Sequence, residues 1–299
     1  MDRRWALLWV ALGASLWGTD TVLRRPLTSS FSSPQIVLIE HLILTLALLP
    51  VCWRSRAQWR ALEPSRWGAV LGVSWGGSAV GTVLFTEAIR MGNPTTAVLL
   101  QKTQPLFAAL LARHLLGEQL GRRFWISLLL ALWGAYLVSF GAQNPFRFRP
   151  PVPAAAALLA LAAAALWGAS TVLGRWALDR LSFSTLTALR IVVATPLLLI
   201  LAWIHSSSMA LVVGAGQAVA LLVLALVPGL LALIVYYRGL RHARASRAAI
   251  AELSFPAVAT LLNWAVLGAR ISAVQLTGFA LLWGVILNLE KGKYAESGH

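Results

Sequence analysis

Apolar residues run along this chain in long blocks, separated by short clusters of arginine, proline and turn residues. A bilayer core demands runs of roughly 18–25 residues. Read for that length, the pattern predicts ten spans, at 5–23, 34–52, 67–89, 94–116, 124–141, 153–174, 183–204, 209–236, 246–268 and 272–289. What remains makes nine short connections and two short tails, too little for an extramembrane domain. Asp2-Arg3-Arg4 before the first block resembles the start of a secretory leader. However, the apolar run is longer than a leader's usual ~7–15 residues, and Ser15-Leu16-Trp17 offers no small-residue cleavage site. The first block is therefore expected to stay as a helix.

The two halves of the pattern repeat. Leu16-Trp17-Gly18-Thr19-Asp20-Thr21-Val22-Leu23-Arg24-Arg25 aligns with Leu166-Trp167-Gly168-Ala169-Ser170-Thr171-Val172-Leu173-Gly174-Arg175 at an offset of 150, with seven of ten positions identical. Leu132-Trp133-Gly134 matches Leu282-Trp283-Gly284 at the same offset, and Pro105, Gly117 and Arg90 match Pro256, Gly268 and Arg241 at 151. Duplication accounts for matches in separate spans at one spacing. Five spans per copy is an odd number, so consecutive copies must sit upside-down to each other. The expectation is an all-α integral membrane protein of ten transmembrane helices in two inverted five-helix repeats, 1–145 and 152–290, with a tail at 291–299. Inverted repeats are a recurring ground plan of secondary transporters, with the site near the midplane.

Composition agrees. The 299 residues are 59% hydrophobic and only 12% charged, too few charges to cover a water-facing surface. The net charge of +15 raises nucleic acid as a partner, but the positions of the cations decide otherwise. With the N-terminus inside, the inner segments hold 17 of the 25 Lys and Arg, the outer segments 6 (Arg24, Arg25, Arg90, Arg147, Arg149, Arg270), and two, Lys102 and Arg190, lie within spans. That bias over short loops places both termini in the cytoplasm. The excess is an orientation signal and an attraction for anionic lipid, so no nucleic-acid partner is expected. Cys52, the single cysteine, excludes an internal disulfide and a thiolate metal cluster. Trp5, Trp53, Trp59, Trp67, Trp125, Trp176, Trp203 and Trp264 lie near span ends, as amphipathic rings do.

Ionisable residues at bilayer depth are costly and mark functional sites. Lys102, with Gln101 and Gln104 beside it and Pro105 one turn on, can meet a substrate carboxylate; it can also snorkel or pair with Glu40 or Glu87. Glu252, one turn before Pro256, is its counterpart, with a structural pair to Arg190 as the alternative. Trp17, Trp75 and Trp167 are candidate walls able to stack on a ligand, or else packing joints. Gln101, Lys102, Glu252 and these tryptophans form the candidate substrate site. Asp20, Glu40, His41, Glu87 and Arg190 are candidates for coupling or gating: His41 can carry a coupling proton or simply pack, and Asp20 can pair with Arg24. Pro105 and Pro256 are expected to kink their helices. Gly68, Gly72 and Gly76, with Gly77 and Gly81 on an adjacent face, allow close helix approach.

Enzymatic constellations are poor. Gly13-Ala14-Ser15 is followed by Leu16 and Trp17 where an intramembrane serine turn needs a small residue. There is no His-Glu-x-x-His motif and no phosphate loop ending in Lys-Ser/Thr. No catalytic residue, metal or cofactor is implied. An intramembrane enzyme and a non-transporting, lipid-handling protein are the weaker alternatives.

The Leu-Trp-Gly segments at 16–18 and 166–168, Pro105 with Leu116-Gly117-Glu118, and the Trp133-Gly134 and Trp283-Gly284 pairs resemble the EamA family of the drug/metabolite transporter superfamily. The resemblance implies a ten-helix carrier of the bacterial inner membrane, working by alternating access on a small-molecule substrate. Within the family it leans towards the YddG-like amino-acid exporters; the runner-up is an exporter of aromatic cations or drugs. Two positions depart from the family pattern: Glu40 stands where an Arg is usual, its twin Arg190 keeping it, and the Leu-Gly-Glu ending becomes Gly268-Ala269-Arg270 in the second copy.

Overall fold

The computed structural model describes residues 5–91, 94–142, 154–205, 213–267 and 271–295. Arg3, Arg4, Arg147, Arg149, the Gly268-Ala269-Arg270 segment and the expected boundary near 145–152 lie outside the described residues, as do the side chains of Trp264 and Lys293. The described residues form helices and no strands. Among the described residues, eight helices are long and apolar enough to cross a membrane. They are α1 (Ala6–Leu27), α2 (Ser33–Arg54), α3 (Pro64–Met91), α5 (Arg122–Phe140), α6 (Ala154–Ala177), α7 (Phe183–His205), α8 (Ala215–Leu240) and α10 (Ala273–Lys291). The last continues helically to Ala295.

The other two expected spans are interrupted, and at matching places. In α4, the helices Pro94–Gln101 and Gln104–Leu115 are separated by Lys102 and Thr103. In α9, Ala245–Ala251 passes through a tighter turn at Glu252–Ser254 into Phe255–Leu267. Pro105 and Pro256 each stand as the second residue of the C-terminal piece, where a missing N–H costs nothing. The kinks expected at the prolines are thus breaks in the turn before them.

Two more irregularities are paired. Gly72–Val80 in α3 and Ala225–Leu231 in α8 are wound as wide π-helical turns, a geometry frequent at functional sites. One irregularity is not paired: α1 breaks after Trp17, while α6 runs straight through Trp167-Gly168. Thr19 accounts for part of the difference, because its hydroxyl donates to the Leu16 carbonyl at 2.8 Å. Alanine occupies the twin position.

Packing joins the halves rather than separating them. Helix α1 lies on α8 and α9, and α6 lies on α3 and α4; α2 pairs with α7, and α5 with α10. Exchanging the two halves leaves this pattern unchanged. Small residues permit the closest approaches. A Cβ at Gly168 would stand 2.8 Å from the Gln104 carbonyl oxygen, so α6 touches the α4 backbone there. Gly77 and Gly81 fit against Ser170 and Trp167 of α6 in the same way, whereas Gly68 faces open space. Leu46, Trp53, Leu129, Leu158 and Trp203 are exposed on the outside of the bundle, as lipid-facing positions require.

Candidate functional site

A cavity of about 150 Å³ lies between the halves, lined from α1, α2, α3, α4, α6, α7, α8 and α9. None of its lining residues comes from α5 or α10. The two π-helical stretches contribute Ser78 on one side and Pro228 and Gly229 on the other, and the breaks in α1 and α9 contribute Asp20 and Glu252.

Two aromatic pairs face it. Trp17 stands 5.0 Å from Tyr236, ring to ring, and Trp167 stands 5.0 Å from Phe85. The tryptophans are 150 positions apart and their partners 151, so the pairs are counterparts under the repeat. Trp167 is further fixed by donating its indole N–H to the Gly77 carbonyl, in the π-helical stretch of α3, at 2.8 Å.

Charge is gathered into separate clusters. Arg24, only 2% exposed, donates from Nε and Nη2 to Asp20 at 2.7 and 2.6 Å and from Nη2 to Glu40 at 2.9 Å. Arg190 donates to Ser78 Oγ at 2.5 Å and to Tyr237 Oη at 2.8 Å. Glu252 is held by neutral groups. Its Oε1 accepts from Tyr236 Oη at 2.7 Å and Thr171 Oγ1 at 2.9 Å, and its Oε2 accepts from the Gln104 amide. Gln104 in turn accepts from Gln101 Nε2 at 2.9 Å.

The described side chains leave five buried polar atoms without a hydrogen-bond partner: Arg24 Nη1, His41 Nε2, Gln101 Oε1, Lys102 Nζ and Ser170 Oγ. Four of them belong to cavity-lining residues. A buried polar group without a partner costs about 1–3 kcal/mol, so four such groups on the residues around one cavity mark it as a place for a polar ligand.

Of the sequence candidates, Trp17, Asp20, Glu40, His41, Gln101, Trp167, Arg190 and Glu252 line the cavity. Lys102 is 3% exposed beside it, with its ammonium 4.4 Å from the Phe255 ring centre. The alternative of a Lys102 ion pair does not form: Glu40 is taken by Arg24, and Glu87 is bonded to Arg90 and Ser33. Glu252 and Arg190 are not paired either; each is satisfied by neutral neighbours, Glu252 by Tyr236, Thr171 and Gln104 and Arg190 by Ser78 and Tyr237. Glu87 lies outside the lining, and so does Trp75. The latter is 46% exposed and donates to the Val193 carbonyl of α7 at 3.0 Å. Pro105 is buried in α4 and Pro256 in α9, neither lining the cavity.

Sequence reasoning missed Arg24, Ser170, Thr171, Tyr236 and Phe255. Arg24 counted as an outer-loop cation because the span was ended at residue 23. Ser170 and Thr171 carried a usable signal, being the twins of Asp20 and Thr21. Glu118 also gained a role: it accepts the Ala245 and Ser246 backbone N–H groups at 2.7 and 3.2 Å and the Ser246 hydroxyl. It therefore caps α9 from the end of α4. Among the described residues no three His, Cys, Asp or Glu side chains gather to hold a metal ion.

A family model, the EamA-like transporter family, matches residues 4–140 and 154–289. The chain is 31% identical over 290 residues to the riboflavin transporter ImpX of Fusobacterium nucleatum, covering 95% of this chain and 97% of that protein. It is also 31% identical over 304 residues to the uncharacterized protein PA1977 of Pseudomonas aeruginosa, covering 99% of each. A solved crystal structure shares the fold with a TM-score of 0.77 at 21% identity, over 95% of this chain and 98% of that one.

Proposed function

Because the chain belongs to the EamA-like transporter family, we propose that it is a secondary carrier whose central cavity takes a flat, hydrogen-bonding aromatic metabolite of the riboflavin class. Members of the family transport small metabolites across membranes, and the coarse function follows from membership. The substrate class is supported by the site. Two aromatic pairs related by the repeat flank one cavity, and unpartnered polar atoms of Arg24, His41, Gln101 and Ser170 belong to its walls. Stacking faces with a polar rim suit a planar heteroaromatic ring. The riboflavin transporter among the relatives is consistent with this reading.

The carrier works by alternating access in a bacterial inner membrane, with ten spans in two inverted repeats and both termini cytoplasmic. The interrupted α4 and α9 carry the site between the halves, as broken helices do in inverted-repeat carriers. Gln104, just after one break, and Glu252, at the other, are bonded to each other, so movement of one half is transmitted to the other at the cavity.

An amino acid, including aromatic and hydrophobic ones, is the second reading. The observation favouring it is that both signs of charge, Arg24 and Arg190 with Asp20, Glu40 and Glu252, line one cavity, as a zwitterion requires. Purified protein in liposomes separates the two. Counterflow of labelled riboflavin above empty vesicles is expected, with weak competition by amino acids. Saturable flux of an amino acid without riboflavin flux sinks the first reading in favour of the second.

A further inference from the structure

We propose that Glu252, Gln104 and Gln101 form a relay in which the protonation state of Glu252 sets whether Gln101 offers the cavity a hydrogen-bond acceptor or a donor. This rests on the cavity being the substrate site, and it adds a coupling mechanism to that site.

The argument is one of hydrogen-bond polarity. A carboxylate only accepts, while a primary amide has one accepting and one donating end. Ionised Glu252 takes the Gln104 Nε2–H on its Oε2. That leaves the Gln104 Oε1 to accept from Gln101 Nε2 at 2.9 Å. The Gln101 Oε1 is then the free end of the chain, buried, unpartnered and on a residue lining the cavity. The carboxylate fixes the direction of both amides.

Protonation reverses the direction. Oε1 of Glu252 already accepts from Tyr236 and Thr171, so a proton from water entering the cavity binds Oε2. The new O–H must donate, and its neighbour is Gln104. Turning the Gln104 amide offers its oxygen to the acid and its N–H to Gln101. Gln101 must then turn as well, and its free end becomes an N–H donor. Deprotonation returns the proton to water and restores the first arrangement. An ionised relay thus selects a ligand N–H, and a protonated relay selects a ligand carbonyl. A heteroaromatic imide edge carries both groups side by side.

The other charged groups leave Glu252 to this task. Arg24, Asp20 and Glu40 from α1 and α2 are bonded among themselves. Arg190 from α7 is bonded to Ser78 and to Tyr237 of α8. Lys102 of α4 stands over Phe255, and His41 of α2 is anchored to the Val37 carbonyl through Nδ1 at 2.9 Å. Glu252 forms no ion pair among the described residues, so a proton can come and go without breaking one.

Glu252→Gln is the informative variant. Its amide oxygen takes the Tyr236 and Thr171 donors and its N–H points at Gln104, the pattern of the protonated acid. The test is an infrared pH titration of the full-length protein in lipid nanodiscs, run beside riboflavin binding across the same pH range. A carboxylic-acid band and a glutamine amide shift are expected to share one midpoint, and both should vanish in Glu252→Gln. The riboflavin Kd should change about tenfold or more across that midpoint in the unmodified protein. In Glu252→Gln it should stay at the acid-side value at every pH. Gln104→Met, which cuts the relay, should keep the carboxyl titration and flatten the Kd profile; it also serves if Glu252→Gln does not fold. Carboxyl titration without an amide shift, no carboxyl titration, or an unchanged pH profile in Glu252→Gln overturns the relay. Absence of riboflavin binding at every pH overturns the substrate reading instead, and the infrared arm still decides the relay.

Discussion

Thr45 and Thr195, 150 positions apart, share a hydrogen bond of 2.8 Å between their hydroxyls. The offset is that of the internal repeat, so each residue bonds its own twin, and the contact between α2 and α7 marks where the two halves meet as equivalents. Hydroxyl pairs between membrane helices contribute about 0.6 kcal/mol on average. Thr45→Val and Thr195→Val are each expected to lower stability slightly. Together they should show a coupling of about that size in a double-mutant cycle of denaturant unfolding. Additive losses would show that the bond contributes nothing.

Gly168→Ala tests the contact between α6 and α4. A methyl group there meets the Gln104 carbonyl oxygen at 2.8 Å and the Ala108 nitrogen at 2.9 Å, and backbone cannot move aside cheaply. Overpacking of this kind costs about 1–3 kcal/mol. Gly68→Ala, which faces open space, should change stability by about 0.5 kcal/mol or less. Thermal melts of the two variants in one detergent check the contrast.

Arg24→Met leaves Asp20 and Glu40 together without their cation. Removing one partner of a buried pair costs about 3–5 kcal/mol, so a large drop in Tm is expected. Adding Glu40→Gln should recover part of it. A melt unchanged by Arg24→Met would show that the cluster is not structural.

Trp17→Ala and Trp167→Ala should each abolish most riboflavin flux in liposomes, because each removes one wall of the cavity. Trp75→Ala should retain it. Equal loss in all three would point to general destabilisation rather than to the site.

Glu118→Ala removes the group that satisfies the first N–H groups of α9. Loss of such a cap costs about 0.5–2 kcal/mol. Glu118→Gln should cost less, keeping one acceptor. Hydrogen exchange at Ala245 and Ser246 reads the effect directly, with faster exchange expected in the alanine variant.

Eight of the ten expected spans, the two-copy organisation and the positions of the two symmetric prolines were legible in the chain, because length and hydropathy are properties of each segment alone. A run of about 20 apolar residues must hide its backbone as helix whatever surrounds it, and a duplication keeps its spacing. The family followed from motifs at those spacings, and the family model confirms it over both halves. The breaks in α4 and α9 were legible only as kinks, since a proline says that a helix is disturbed but not which turn gives way.

The site was legible in its residue types and not in its partnerships. Lys102, Glu252, Glu40 and Arg190 were legible as ionisable groups within apolar spans, and in the fold they are buried or line the cavity; the structural pairs that stood as alternatives for Lys102 and Glu252 do not form. Arg24 shows why. From the sequence it is a cation one residue past a span with Asp20, four positions away, as a partner, and that bond forms; its second partner, Glu40, lies sixteen positions away on another helix. Glu252 likewise has its donors on α4, α6 and α8. Hydrophobic length acts within one helix and can be read there. Which donor meets which acceptor depends on how helices distant in sequence cross, and only the tertiary structure decides that.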